Sequence, residues 1–516
     1  MTILKTAKRA LKFFRIGLAA KKLQRTQDET ERLLAKKALA GLFADARGIT
    51  MKVGQLFAGT DGATPFQELV EGIEPLPLKV MIPLLEKELG QKVKSVFRSI
   101  EPAIAAASLG QVHLAELKNG DKVAVKIRYP DIADAVDAEL RLVGLMPGLG
   151  PVNRWGFDLD AYKRSLRDSM HRELDYRSEA LRQDYFGRTV QVPGLKVPKV
   201  YSDLCSERVL VQSRAEGVLI DKVSSWSEQE RLAIGQTLVM TLFKSLFVSG
   251  EVHGDPHPGN AFYGHDEYGQ PQVTLLDYGC TISIAEPRRM ALLKLIIGCR
   301  ERSPVKPLDC FAALGFDSKK LSPISGSLPA LCQILFRPFL ANHAFNPEQW
   351  QLGQSFNDLL GEYRWWFRSA GPSDLFLLMR AFQGLIQQLQ QLEVNLPWWA
   401  LLQQAVGREL IRQAMAYELP AIESESTAKA LRFDQQATVL CVRVSEDSEQ
   451  RVAVKMPAEA VLDLEHLIPE DVLARIVASG KIDLKQLAGS LRANGIVPQQ
   501  LFVFEDGKKT YKVWLE

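Results

Sequence analysis

The alternation of hydrophobic and polar residues predicts a β-rich part near the first third of the chain. In QVHLAEL (111–117) and KVAVKIRY (122–129), apolar residues recur at every second position, which is typical of strands. Asn119-Gly120 lies between these segments, and Asn-Gly between two strands is a strong hairpin signal. We predict further strands in KVPKVY (196–201) and RVLVQSRAEG (208–217).

Helical spacing dominates on both sides of this β-rich part. It predicts helices over residues 1–60, over 78–100 with a break near Gly90, and over 131–146 and 158–190. From 227 to about 420 the chain is mostly helical, except around 250–284. This distribution of strands and helices predicts the α+β class.

The hydrophobic pattern changes again at about residue 421. A polar linker, IESESTAK, is followed by a second hairpin, ATVLCVRV and RVAVKMP, and by a final strand pair, LFVFEDGKKTYKVWL. We therefore predict a small α+β module at this end. The predicted parts are a helical extension (1–100), a β-rich lobe (101–217), a helix-rich lobe (218–420) and the α+β module (421–516).

Composition and charge narrow the function classes. The chain has 516 residues, 46% of them hydrophobic and 24% charged, values typical of a globular protein. A net charge of +3 gives no argument for a nucleic-acid partner. None of the six cysteines forms a C-x-x-C pair, which gives no support to a zinc or thioredoxin-like site. Their scatter along a long chain indicates reduced thiols in a cytosolic setting. We find no uninterrupted apolar run of membrane-spanning length and no clear signal peptide.

The first 25 residues form a basic amphipathic segment. They carry eight Lys or Arg residues and no acid, and helical spacing brings Leu11, Phe14 and Leu18 near one face. Such a helix either lies on an anionic membrane surface or packs its apolar face on its own protein. Both interpretations stay open at this point.

The stretch VHGDPHPGN (252–260) carries the clearest chemistry. Asp255 and Asn260 are five residues apart, and LLDYGC (275–280) follows with Asp277. Kinases have an Asp, an Asn five residues later and a downstream Asp-x-Gly. Asn260 and Asp277 offer oxygen ligands suited to magnesium, and Asp255 would orient a hydroxyl or a water and accept its proton. His253 and His257 are expected to shape the loop.

Upstream segments supply the remaining parts of a nucleotide site. Lys126, on the second hairpin strand, can reach the α- and β-phosphates of ATP. Its carboxylate partner comes from HRELDYRSEALR (171–182); Asp175 and Glu179 share a helix face, and spacing alone leaves Glu173 or Glu179 open as the partner. Further nucleotide-binding candidates are Ala105, Ala106, Ala107, Ser108, Leu109, Gly110 and Gln212.

The tetrapeptide VAVK occurs twice, so the chain has two candidate phosphate-binding lysines. Lys455 repeats the local sequence of Lys126, but only 61 residues follow it, and none resembles a catalytic loop or a metal-binding aspartate. We interpret Lys455 as a solvent-facing residue of a hairpin strand.

Three further stretches carry a family resemblance. KVGQ (52–55), AAASLGQV (105–112) and ELDY (173–176), together with Glu179, resemble the motifs of the UbiB/ADCK family of atypical protein-kinase-like proteins. With VAVK, HGDPHPGN and DYG, the resemblance covers about residues 40–285. It implies a bilobal protein-kinase-like fold with an N-terminal helical extension and a helix-rich C-lobe.

The resemblance also implies an activity and roles for residues. Lys126 would pair with Glu179, and Lys52 and Gln55 would lie near Glu173 and Asp175. The residues with an implied regulatory role are Lys52, Gly54, Gln55, Glu173 and Asp175. The implied cofactors are ATP or ADP and Mg²⁺. The implied activity is ATP hydrolysis or phosphotransfer linked to ubiquinone or isoprenoid-lipid metabolism, rather than phosphorylation of other proteins.

The sequence departs from the family pattern at two places. Tyr278 replaces the usual phenylalanine of Asp-Phe-Gly, and the chain ends in the α+β module where bacterial UbiB proteins have hydrophobic helices.

Two functions stay open as alternatives to an ATPase or kinase of this family. They are a small-molecule phosphotransferase of the aminoglycoside or choline kinase type and a nucleotide-switched scaffold with little turnover. A lipid ligand and a homodimer also stay open.

Overall fold

The computed structural model describes residues 75–106, 109–130, 132–133, 159–255, 258–420, 431–447 and 449–516. The predicted helix over 1–60, most of the helix over 131–146 and the linker at 422–429 lie outside these residues.

The N-terminal lobe is built on a four-stranded antiparallel sheet with strand order β1-β2-β3-β5. The predicted hairpin of β2 and β3 is confirmed, with Gly120 at a φ of +91° in its turn. Val123, Val125 and Ile127 alternate along β3 and are fully buried in the core of this lobe. The strands are β1 (Phe97–Ala106), β2 (Gly110–Leu117), β3 (Lys122–Arg128) and β5 (Val209–Ser213).

Two local predictions in this lobe are wrong. A strand, β1, replaces the end of the helix predicted over 78–100; it is an edge strand with three register shifts, so its alternation is weak. Of the strand predicted over 196–201, only β4 (Leu195–Lys196) and a bridge at Val200 form. Pro198 between them has no N–H to donate to a ladder.

Helices lie before and after the N-terminal hairpin. Helix α1 ends next to Gly90, which adopts the left-handed conformation expected of a helix C-terminus. The segment predicted as one helix over 158–190 is divided in two, because residues 174–175 are not helical. These helices are α1 (Leu78–Leu89), α2 (Val93–Val96), α3 (Leu159–Glu173) and α4 (Tyr176–Thr189).

The helix-rich lobe surrounds two small sheets that carry the candidate catalytic segments. Strands β4, β8 and β7 form one sheet, and β6 pairs with β9 in the other. Helix α6 (Glu228–Phe243) begins with a capping box, in which Ser227 and Glu230 satisfy each other's backbone N–H groups. The strands are β6 (Glu251–His253), β7 (Ala261–His265), β8 (Pro271–Leu275) and β9 (Thr281–Ser283).

The predicted helical character of residues 227–420 is confirmed. Helix α15 contains a break at Gly407, which has a φ of +77°. The helices are α5 (Ile220–Val223), α6 (Glu228–Phe243), α7 (Glu286–Glu301), α8 (Pro307–Ala313), α9 (Ser318–Leu321), α10 (Leu328–Leu335), α11 (Arg337–Leu340), α12 (Leu352–Leu360), α13 (Arg364–Ala370), α14 (Leu375–Gln391) and α15 (Trp398–Ala416).

One helical stretch of the described residues, Glu228–Ser249, is long and apolar enough to cross a membrane by length and composition alone. It reaches this length because α6 continues directly into a π-helical segment, Lys244–Ser249. Of its most apolar window, 61% is buried inside the fold. A core helix of a globular protein has the same properties.

The C-terminal residues form an antiparallel sheet with strand order β11-β10-β13-β12. Its apolar face, including Leu440 and Phe502, belongs to the same buried cluster as the core of the helix-rich lobe. Lys455 lies on the edge strand β11, and its side chain is 70% exposed. The elements are β10 (Val439–Glu446), β11 (Glu449–Pro457), α16 (Leu464–Leu467), α17 (Glu470–Ser479), α18 (Leu484–Asn494), β12 (Gln499–Asp506) and β13 (Lys509–Leu515).

Gly495 permits the close approach of this C-terminal part to the helix-rich lobe. It has a φ of +94°, and a Cβ there would lie 2.0 Å from Leu431 Cδ1 and 2.7 Å from the Gly326 carbonyl oxygen. We expect Gly495→Ala to lower the free energy of unfolding by at least about 2 kcal/mol, measured by urea denaturation. Gly489→Ala is the control: it lies on helix α18 with open space around it, so this variant should be unchanged or slightly more stable.

Candidate active site

A buried lysine holds two carboxylates at the boundary of the two lobes. Lys126 Nζ lies 2.9 Å and 3.1 Å from the two carboxylate oxygens of Glu179, and 3.2 Å from Asp277 Oδ2. The Lys126 side chain is 15% exposed and that of Glu179 only 1%. Of the two acids left open by sequence spacing, Glu179 is therefore the one that pairs with Lys126.

The charges of this cluster stabilise one another against the cost of burial. Burial disfavours the charged lysine, but the carboxylates of Asp277 and Glu179 outweigh that effect and raise the pKa of Lys126. Burial raises the pKa of Glu179, and Lys126 opposes this rise. The ring of Tyr176 also lies 4.8 Å from Lys126 Nζ, a cation–π distance. Lys126 therefore stays a cation at neutral pH and can neutralise phosphate charge.

Gly279 lies where three acidic side chains converge. A Cβ at this position would be 3.1 Å from Asp277 Oδ1, 3.4 Å from Glu179 Oε2 and 3.6 Å from Glu173 Cγ. Asp277 itself has a φ of +57°, in the left-handed region, and its Oδ1 accepts a hydrogen bond from the Gly279 N–H. The turn after β8 thus directs Asp277 toward Lys126, and the absence of a side chain at Gly279 makes room for it.

Asp175 does not share a helix face with Glu179, contrary to the prediction from spacing. It is the N-cap of α4, and its carboxylate accepts hydrogen bonds from the backbone N–H groups of Arg177 and Ser178 and from the Ser178 hydroxyl. Its backbone is extended rather than helical, and its carboxylate turns back onto the start of α4 instead of projecting with Glu179 toward Lys126. By fixing the first turn of α4, Asp175 helps to place Glu179.

Asp255 is held on both of its carboxylate oxygens. Arg380 Nη2 donates to Asp255 Oδ1 at 2.8 Å, and Asn260 Nδ2 donates to Oδ2 at 3.0 Å. Arg380 and Asp255 side chains are only 15% and 11% exposed. Arg380 was missed by the sequence analysis, because it lies 125 residues further along the chain in an amphipathic helix, α14, with no motif around it.

Asn260 and Asp277 fit a magnesium ion that also binds phosphate. Because the Asn260 amide nitrogen donates to Asp255, its side-chain oxygen remains as the acceptor. No group of three or more His, Cys, Asp or Glu residues suited to a metal occurs in the described part of the chain. Two oxygen ligands from the protein suit Mg²⁺, which takes its other ligands from water and substrate phosphates.

The proposed phosphate loop is described only in part. Ala105 and Ala106 form the end of β1, paired with Val112 and Gln111, whereas Ala107 and Ser108 lie outside the described residues. The Leu109 side chain is buried in the N-lobe core. A Cβ at Gly110 would lie 2.5 Å from the Ile127 carbonyl oxygen and 2.6 Å from the Tyr176 hydroxyl, so glycine is needed for this close approach.

Of the remaining residues predicted for the site, His253 and Gln212 lie in the described part of the chain. His253 lies within hydrogen-bonding distance of the Leu276 carbonyl, 3.0 Å, and its ring packs edge-on against Tyr278. Gln212, on β5, has a buried side-chain oxygen that accepts no hydrogen bond among the described residues. The residues outside the description are Lys52, Gly54, Gln55 and His257.

Comparisons with known proteins agree with the suspected family. Residues 68–304 match the ABC1 atypical kinase-like domain. The chain is 29% identical to the atypical kinase COQ8B, mitochondrial, of Rattus norvegicus over 58% of this chain and 58% of that protein. It is 28% identical to the protein Activity of BC1 complex kinase 8, chloroplastic, of Arabidopsis thaliana over 58% of this chain and 42% of that protein. The chain thus spans about half the length of these relatives.

A solved structure supports the same fold. The structure of the Rv3197–erythromycin complex from Mycobacterium tuberculosis superposes with a TM-score of 0.50 and 24% sequence identity, over 74% of this chain and 98% of that one. At this identity the likeness concerns the fold alone. The resemblance to the UbiB/ADCK family and the α+β kinase-like fold class, both predicted from the sequence, are confirmed.

The capping role of Asp175 can be separated from its charge. We expect Asp175→Ala to lower the free energy of unfolding by about 1 kcal/mol, because it removes the acceptor for the first turn of α4. Asp175→Asn keeps an N-cap acceptor and should retain most of that stability. Urea denaturation of both variants measures the difference; equal losses would show that capping is not what Asp175 contributes.

Proposed function

Because residues 68–304 match the ABC1 atypical kinase-like domain, we propose that this chain binds ATP or ADP with Mg²⁺ and hydrolyses ATP or transfers its γ-phosphoryl group. The observation that carries the proposal is the contact of Lys126 with both Glu179 and Asp277. It unites the lysine strand, the glutamate helix and the Asp-x-Gly turn, three parts that phosphotransferases of the kinase type require together.

Each residue has a role that its environment supports. Lys126 neutralises the α- and β-phosphates, and Glu179 orients it. Asn260 and Asp277 hold Mg²⁺, which supplies charge neutralisation and orientation of the phosphates when bound. Asp255 positions the attacking hydroxyl or water. Arg380 and Asn260 each donate to one of its carboxylate oxygens and so fix its orientation, and a loose phosphoryl-transfer transition state depends mainly on such positioning.

We place this activity in ubiquinone or other isoprenoid-lipid metabolism, as the family resemblance implies, with a lipid or isoprenoid compound as the ligand. Turnover of ATP without phosphorylation of other proteins is the favoured form. The relatives are named mitochondrial or chloroplastic. For this chain we propose a cytoplasmic location at a membrane surface, with the basic segment 1–25 as the contact.

Nucleotide binding can be tested with two lysine variants in the same tetrapeptide. Lys126 and Lys455 both follow Val-Ala-Val, but Lys126 is buried against two carboxylates and Lys455 is exposed. In thermal-shift measurements with ADP or ATP and Mg²⁺, we expect Lys126→Ala to reduce or abolish the nucleotide-induced rise in Tm. Lys455→Ala should keep the full rise.

Asp277→Asn extends this test to the metal. Its nucleotide-induced rise in Tm should lose its dependence on Mg²⁺, because a charged oxygen ligand is removed. A wild-type protein whose Tm does not change with either nucleotide, with or without Mg²⁺, would contradict the proposal.

The two alternative functions predict other results. Binding of nucleotide without phosphate release, even with detergent and lipid present, would favour the nucleotide-switched scaffold. Phosphate transfer to a small-molecule alcohol would favour the aminoglycoside or choline kinase type.

Membrane contact is tested by co-sedimentation with vesicles that contain anionic phospholipid. Deletion of residues 1–25 should decrease the bound fraction, because it removes eight cations and the apolar positions Leu11, Phe14 and Leu18. Raised salt should weaken the binding of the full-length chain in the same assay. Equal binding of both forms would mean that this segment has only a structural role.

A further inference from the structure

Arg380 has a donor that the fold does not use. Its Nη2 donates to Asp255 Oδ1 at 2.8 Å, whereas Nη1 is buried and has no hydrogen-bond partner among the described residues. A guanidinium presents several N–H donors in one plane. A buried donor without an acceptor is costly, and more so when the donor belongs to a charged group. The unsatisfied Nη1 therefore points to an acceptor that arrives with a ligand.

Anchoring of helix α14 does not explain the position of Arg380. The start of this helix is already fixed by a bidentate ion pair between Arg288 and Asp374. Its apolar side is fixed by Leu378 and Leu385, which are buried in the core of the helix-rich lobe. Arg380 is instead directed at Asp255, which lies two residues after the end of β6 and five residues before Asn260.

The neighbours of Arg380 indicate what kind of ligand the free donor would meet. Asp255 takes up one Nη group, and Asn260 donates to the other oxygen of the same carboxylate. In the proposed reaction Asp255 lies beside the attacking oxygen. A donor adjacent to it is therefore within reach of the group that the attacking oxygen joins, which is the γ-phosphoryl group.

We propose that Arg380 is a catalytic residue that donates from Nη1 to an equatorial oxygen of the γ-phosphoryl group during transfer, an inference that rests on the proposed function. In hydrolysis, the water oxygen bonds to phosphorus as the bond from phosphorus to the bridging oxygen breaks. The electron pair of the broken bond leaves with ADP. One water proton stays on the phosphate and the other goes to solvent.

The chemistry of the transition state explains why an arginine would be placed here. Negative charge spreads over the three equatorial oxygens of the transferring group, and an arginine that contacts them raises kcat by about 10³–10⁵-fold in other phosphotransferases. Arg380 would combine this role with fixing Asp255, so that the positioning of the nucleophile and the stabilisation of charge depend on one side chain.

The test uses ADP, Mg²⁺ and aluminium fluoride, whose complex with ADP imitates the transferring phosphoryl group. For the full-length wild type, we expect ADP and Mg²⁺ to raise Tm and aluminium fluoride to raise it further. Arg380→Gln should keep the rise with ADP, lose the additional rise with fluoride and lower kcat at least about 100-fold. Arg288→Gln, the matched control, removes a cation that anchors the same helix, and it should keep the additional rise.

The outcomes separate this inference from the proposed function. A wild type without any shift on ADP would contradict both. A normal ADP shift together with an undiminished fluoride response in Arg380→Gln would overturn the role of Arg380 alone. Loss of the fluoride response in Arg288→Gln as well would also overturn it, because the effect would then come from the position of α14. If Arg380→Gln does not fold, Arg380→Lys, which keeps the cation but lacks the second Nη donor, should show the same loss in weaker form.

Discussion

The arrangement of the two lobes depends on one buried cation. Lys126 contacts carboxylates that are 53 and 151 residues further along the chain, and the side chain of Glu179 is almost fully buried. Removing one member of a buried ion pair leaves an uncompensated charge, at a cost of about 3–5 kcal/mol. Strand β3 and helix α4 must therefore come together for the charges of Lys126 and Glu179 to be tolerated, and Asp277, whose side chain is 37% exposed, adds a second carboxylate from the turn after β8. The proposed nucleotide site and the junction of the lobes are, for this reason, the same structural feature.

A second charge pair, Arg380 and Asp255, joins distant segments of the chain within the helix-rich lobe. Asp255 lies on a short loop, and its carboxylate is fixed from one side by Asn260 of the same loop and from the other by Arg380 of α14. The two hydrogen bonds stabilise the charged form of Asp255 and restrict its orientation. Together with the Lys126 cluster, this pair fixes in advance the residues that face the transferring phosphoryl group in the proposed reaction. Little rearrangement would then be needed for catalysis.

The parts of this site that could be predicted are those with short sequence signatures. The β2–β3 hairpin has strict alternation and Asn-Gly at its turn, and Asp255, Asn260 and Asp277 have a characteristic spacing. Strand β1 was missed because its register shifts disturb the alternation.

The role of Asp175 and the presence of Arg380 required other information. The first depends on a helix break that spacing does not show, and the second on tertiary packing alone. Local patterns thus identify the residues proposed to meet the nucleotide, but not the residues that position them.

The two VAVK segments show how far such a local pattern can determine chemistry. In β3, Val123 and Val125 are fully buried, because β2 and β5 flank the strand and the lobe core covers it. In β11, the equivalent Val452 and Val454 are 46% and 40% exposed, because this edge strand has only β10 beside it. Lys455 consequently lies in solvent, 3.6 Å from the carboxylate of Glu516, where an ion pair contributes little. The same four residues give a buried, carboxylate-paired lysine in one sheet and a surface lysine in the other, so the position of the strand in its sheet decides which lysine can act on phosphate.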